Sequence, residues 1–127
     1  MNLLTQEWVE KAEKDYASAQ WLQRAPMPVH DAICFHFQQC VEKYLKAWLQ
    51  EANTLFPRTH DLEQLLDLIV NTIPEWNVWR PDFVTLTTHA VDFRYHGKSA
   101  TADDAYHAMW ICENVRQAIR ESLAIPS

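Results

Sequence analysis

Phe35-His36-Phe37-Gln38-Gln39-Cys40-Val41-Glu42-Lys43-Tyr44-Leu45-Lys46-Ala47-Trp48 holds neither Pro nor Gly, and its apolar residues recur at three- and four-residue steps. At roughly 100° per residue, Cys34, Phe37, Val41, Tyr44, Leu45 and Trp48 fall on one side of a helix. His36, Gln39, Lys43 and Lys46 fall together on the other, within an arc of about 80°. The spacing predicts a helix from about Val29 to Ala52. With Glu42 beside it, the polar arc sets an imidazole, an amide and two ammonium groups in register. Such a set can hold a phosphate, a nucleotide or an acidic partner surface.

The remaining chain divides around this segment. Trp8, Ala12, Tyr16, Ala19 and Leu22 predict a first helix from about Gln6 to Gln23 with Thr5 as its N-cap. Pro26 and Pro28 end it. Thr59 is the expected N-cap of a third helix, whose apolar face is Leu62, Leu65, Leu66 and Ile69. Trp76 and Trp79 stand in the connection that follows, and they are expected to fold back on the core or to face a partner. Pro81 suits the first turn of a fourth helix with Phe83, Leu86, Ala90 and Phe93 on its core stripe. Arg94 lies at the edge of that stripe, and Gly97 is placed to cap the helix in the left-handed conformation. A fifth helix follows Thr101, with Asp103 and Asp104 in its first turn and Ala105, Met109, Cys112, Val115, Ile119 and Leu123 on its face.

A single Gly in 127 residues disfavours an antiparallel β fold, which needs Gly in tight turns. The expectation is therefore all-α: an up-and-down bundle of four long helices plus a short extra one, forming a single domain over 1–127. A hydrophobic content of 48%, with six Trp and five Phe, supplies a core and excludes a disordered chain. The net charge of −6 argues against coating nucleic acid through bulk charge, yet leaves room for a small local basic site. Three Cys without a CxxC pair read as reduced thiols, with Cys34 and Cys112 at core positions. There is no secretory signal pattern and no run of ~18 apolar residues, so a cytoplasmic protein without a membrane span is expected.

The pattern of His36, Gln39, Glu42, Lys43, Leu45, Lys46 and Ala47 resembles the second helix of the HEPN family of small all-helical domains. Phe56-Pro57-Arg58-Thr59-His60-Asp61-Leu62 and Phe93-Arg94-Tyr95-His96-Gly97 agree with the same family in order and spacing. So does the opening Trp8-Val9-Glu10-Lys11-Ala12-Glu13-Lys14-Asp15. The resemblance covers nearly the whole chain. Many HEPN domains resemble ribonucleases that carry an Arg, then four to six residues, then a His. Here the corresponding positions after Arg94 are Ser99, Ala100 and Thr101. Arg24 and His30 have the spacing but straddle a Pro-rich break near the first helix, away from the motif position. The chain matches instead the HEPN members with an Arg-Tyr-Pro-like end to the fourth helix. These are often paired with a small nucleotidyltransferase, as in toxin–antitoxin systems.

The resemblance thus implies a binding module that holds a nucleotide or RNA phosphate together with a nucleotidyltransferase partner. Its binding residues would be His36, Gln39, Glu42, Lys43, Lys46, Arg94 and Tyr95. The alternative is a dimeric, metal-independent endoribonuclease toxin, with His96 moving the proton and Arg94 clamping the phosphate. A ligand-free helical scaffold is the third. Blander roles stand beside each candidate. Arg94 can pair with Glu42 or Asp92, or meet the C-terminal dipole of its own helix. His36, Lys43 and Lys46 can be ordinary residues of a solvated face. No metal or other cofactor is expected: His36 and Cys40 are one helical turn apart but have no evident further ligands. Homodimerisation is expected at the Arg94 end of the fourth helix together with Trp76 and Trp79.

Overall fold

The computed structural model describes residues 1–94 and 97–126. Among these described residues five helices form an up-and-down bundle: α1 Leu3–Gln23, α2 His30–Glu51, α3 Leu62–Asp67, α4 Arg80–Asp92 and α5 Ala102–Ser122. A 3₁₀ segment, Pro74–Trp79, leads into α4. No strand occurs among the described residues.

The segment read first proves to be the centre of the bundle. α2 packs on α1, α3, α4 and α5. Thirteen of its 22 residues are buried, including Gln38, Glu42 and Lys46. A wholly solvated polar face, the blander of the roles expected for the arc, therefore needs correction. Phe37, Val41, Tyr44, Leu45 and Leu49 join one continuous core cluster with Leu62, Leu66, Phe83, Ile111 and Val115, while in the polar arc Lys46 is buried and His36, Gln39 and Lys43 are half-buried. Burying a side chain such as these contributes roughly 1.5–3 kcal/mol each, which is why α2 can be covered nearly all round.

The helix ends depart from the expected caps in ways that have local causes. Asn2, not Thr5, caps α1: its Oδ1 accepts the Thr5 N–H at 2.8 Å. The Thr5 hydroxyl is buried beneath it, 3.0 Å from Glu51 Oε1 at the far end of α2. Asp61, not Thr59, caps α3 by accepting the Glu63 N–H, and Thr59 Oγ1 accepts the Asp61 N–H one step earlier. α4 starts at Arg80, so Pro81 is its second residue and still costs no hydrogen bond. Thr101 caps α5 in a reciprocal box with Asp104.

Gly97 has φ +84° but lies beyond the end of α4, which stops at Asp92 with Phe93 as its C-cap. The left-handed positions after α2 and α5 fall to Asn53 and Ala124. In both, the next residue's N–H reaches back to close the helix, Thr54 to Leu49 O and Ile125 to Arg120 O.

Trp76 and Trp79 fold back, as one of the two expectations had it. They stack at 4.8 Å, with Trp48 edge-on to Trp76 at 6.0 Å and Phe83 against Trp79 at 5.7 Å. Cys34, Cys40 and Cys112 are all buried free thiols. Burial and the nearby Asp104 and Asp31 push the Cys34 thiol up to about 12. Burial, with Cys112 alongside, also pushes Cys40 up. No described helix is long and apolar enough to cross a membrane.

Candidate functional site

The polar arc of α2 faces α1 and the α2–α3 connection. Asp15 of α1, 8% exposed, meets two of its members. His36 Nδ1 lies 2.8 Å from Asp15 Oδ1, and Lys43 Nζ donates to Asp15 Oδ2. Gln39 Nε2 donates to Gln38 Oε1 at 2.8 Å, and Gln38 Nε2 reaches the His60 carbonyl at 3.4 Å. Lys46 Nζ donates to Glu42 Oε2 at 3.1 Å and sits 5.4 Å from the centre of the Trp8 ring. The other oxygen of Glu42 is 3.0 Å from His60 Nδ1.

His36, Gln39, Glu42, Lys43 and Lys46 are thus brought together, but each pairs with the protein itself. A charge taken out of water must be paired to be tolerated, and here the partners are Asp15 and Glu42. A phosphate ligand at Lys43 or Lys46 would have to displace a carboxylate that is already in contact.

Arg94 follows the end of α4 and is exposed. Its guanidinium lies 5.8 Å from the centre of the Phe35 ring, a cation–π arrangement that braces the side chain from below. The alternative pairings expected for it are not made. Glu42 is occupied by Lys46 and His60, and Asp92 lies 3.7 Å from Lys98. Among the described residues no carboxylate forms an ion pair with Arg94. Tyr95 and His96 lie outside the described residues.

Two clefts open beside Arg94. One, of about 220 Å³, separates the first turns of α2 from α4 and is lined by Asp31, Cys34, Phe35, His89, Phe93 and Arg94. Its rim is tied down where Asp31 Oδ1 accepts the Ala100 N–H at 2.6 Å. His89 Nδ1 is buried here without a hydrogen-bond partner among the described residues, and its Nε2 is 4.0 Å from Asp104. The second cleft, of about 270 Å³, lies between the α2–α3 connection and α4. His60, Asp61, Thr87, Ala90, Val91 and Arg94 line it.

A further polar network joins α1, α2 and α5. Arg116 forks onto Glu13 at 2.7 and 2.8 Å, the buried Tyr44 hydroxyl donates to Glu13 at 2.6 Å, and Arg120 donates to Tyr44 at 3.1 Å. Burial raises the Glu13 carboxyl, but the hydrogen bonds from Arg116 and Tyr44 outweigh it and hold the group below its usual range. Burial and the Glu13 carboxylate push the Tyr44 hydroxyl well up. Among the described residues no three His, Cys, Asp or Glu side chains gather as a metal site.

Asp15, Asp31 and His60 were given no role by the sequence reading. Asp15 and His60 sit in stretches already picked out by the family resemblance, and that was the one signal for them. No spacing rule ties His60 to Glu42, 18 residues earlier. A family model described as HEPN domain matches residues 5–122. No curated protein and no solved structure matches the chain.

Proposed function

The chain belongs to the HEPN family, and on that premise we propose that it is a single-domain binding module for a nucleotide or RNA phosphate. Its partner is a nucleotidyltransferase of a two-component, toxin–antitoxin type system, and it works in the cytoplasm as a homodimer. Arg94 supplies the phosphate contact, with Tyr95 at the same end of the molecule. The arc His36, Gln39, Glu42, Lys43 and Lys46 holds α2 against its neighbours and supports the site from behind.

One observation carries this reading: the Arg94 guanidinium is exposed, braced on Phe35, and borders both clefts. A planar fork of donors in that position matches two phosphate oxygens. It does so without requiring a basic protein, consistent with the net charge of −6. The self-association surface is the Arg94 end of α4 with the neighbouring aromatic face. Since Trp76 and Trp79 stack on each other, the exposed part of that face is Val78 and Trp110.

The test is a thermal-shift series with ATP, GTP and a short RNA on wild type and Arg94→Ala, repeated with a purified nucleotidyltransferase. A rise of several degrees with one of these, lost in Arg94→Ala for the nucleotide or RNA, supports the module. A flat response to every ligand and partner leaves the ligand-free scaffold in its place.

The endoribonuclease reading has one observation in its favour: an imidazole borders Arg94 in each cleft, His89 in one and His60 in the other. RNA cleavage in EDTA by wild type, lost in both Arg94→Ala and His96→Ala, would replace the binding module with that enzyme.

A further inference from the structure

His60 stands at the mouth of the second cleft, and 76% of its side chain is exposed. An exposed imidazole ordinarily gains little from a fixed orientation, because a surface pair costs side-chain entropy and is screened. This one is nevertheless anchored. Its Nδ1 lies 3.0 Å from Glu42 Oε1, on a carboxylate that is only 3% exposed. A carboxylate accepts and does not donate, so the proton of a neutral His60 resides on Nδ1. Nε2 then carries the lone pair on the opposite side of the ring, away from Glu42. The arrangement presents a hydrogen-bond acceptor of fixed direction.

The walls of the cleft differ in charge. Asp61 lines it beside His60 in the α2–α3 connection, and Arg94 lines it from the end of α4. Asp61 turns one oxygen to the Glu63 N–H at 3.0 Å. Thr87 Oγ1 accepts the Leu62 N–H at 3.3 Å, and Ala90 and Val91 supply apolar surface between the walls. The Asp61 carboxylate disfavours a phosphate beside His60, and among the described residues Arg94 is the one cationic side chain lining the cleft. A hydroxyl has no such conflict and is what a neutral Nε2 accepts.

We infer that this cleft binds a phosphate ester with a free hydroxyl near the phosphate, as in a ribose phosphate, Arg94 taking the phosphate and His60 the hydroxyl. The inference rests on the phosphate-binding role of Arg94 and adds the group that selects the sugar. The volume of about 270 Å³ suits one sugar phosphate and its immediate neighbour rather than a long strand.

Calorimetric or NMR titration with AMP and with 2′,3′-dideoxy-AMP tests it. Wild type is expected to bind AMP up to about ten-fold more tightly, the scale of one hydrogen bond. In His60→Ala the AMP affinity should fall to the dideoxy level while dideoxy-AMP is unaffected. Arg94→Ala should lose both. Equal affinities in wild type, or a preference that survives His60→Ala, would overturn the hydroxyl role of His60 and leave the phosphate role of Arg94 standing. Absence of binding by either nucleotide would overturn both.

Discussion

In α2, Lys43 and Lys46 each meet a carboxylate of the protein itself. At the end of α4, Arg94 meets the face of Phe35 and two open clefts. All three are cations on or beside helices, and the sequence alone gives no reason to rank them. What separates them is how many elements surround each. α2 is covered on almost every side, so its charges had to be paired within the fold. Beyond the end of α4, Arg94 is exposed and among the described residues has no carboxylate partner, so its guanidinium can keep its donors for a ligand.

The contrast breaks most visibly at Glu42. Glu42→Ala leaves Lys46, 9% exposed, with no carboxylate and removes the anchor of His60. Stability should fall by about 3 kcal/mol, the usual cost of orphaning a buried charge. Urea unfolding followed by circular dichroism measures it. A loss under 1 kcal/mol would mean that Lys46 reaches water easily and that the arc is a solvated face after all.

A smaller effect is expected with pH. Glu13, Glu51 and Asp104 are all held below their ordinary carboxyl range in the folded state, Glu51 chiefly by the Asn2 N–H and Asp104 by the Thr101 N–H. A carboxyl depressed by folding contributes stability above its unfolded value, near 4.5 for Glu13, and loses it as pH falls through the lower folded value. The protein should therefore weaken progressively below about pH 4.5, and Glu13→Gln should flatten that acid limb. Melting temperatures between pH 3 and 7 check this, and identical slopes for both proteins would remove Glu13 from the account.

The smallest change in stability belongs to the residue with the largest effect on binding. Arg94→Ala should alter unfolding by no more than about 0.5 kcal/mol, as for an exposed side chain outside any network. Nucleotide affinity should collapse in the same protein. A large loss of stability in Arg94→Ala would make it one more internal partner and erase the difference between the two regions.

The helical architecture was legible because periodicity and Gly scarcity are local signals. Phe37, Val41 and Leu45 announce a core face, and Thr101 with Asp104 announces a helix start whatever lies elsewhere. The caps at Asn2 and Asp61 were misread by a few residues, since Thr5 and Thr59 also carry suitable oxygens. Which polar residues remain available to a ligand was not legible. Lys43 is taken by Asp15 across 28 positions, and His60 is aimed by Glu42 across 18. Such pairings exist only after α1 and the α2–α3 connection have docked on α2. The Glu13–Arg116 fork, spanning 103 positions, was hidden for the same reason.

The three thiols also have a practical consequence. Cys34, Cys40 and Cys112 lie in the core on two different helices, α2 and α5, and none is oxidised to a disulfide. An alkylating reagent attacks thiolate and therefore reaches them only when the packing between those helices opens. Mass increments over time then act as an intrinsic stopwatch for that opening, read without any added probe. Slower labelling in the presence of a ligand would express occupancy of the clefts as a lengthened interval between openings.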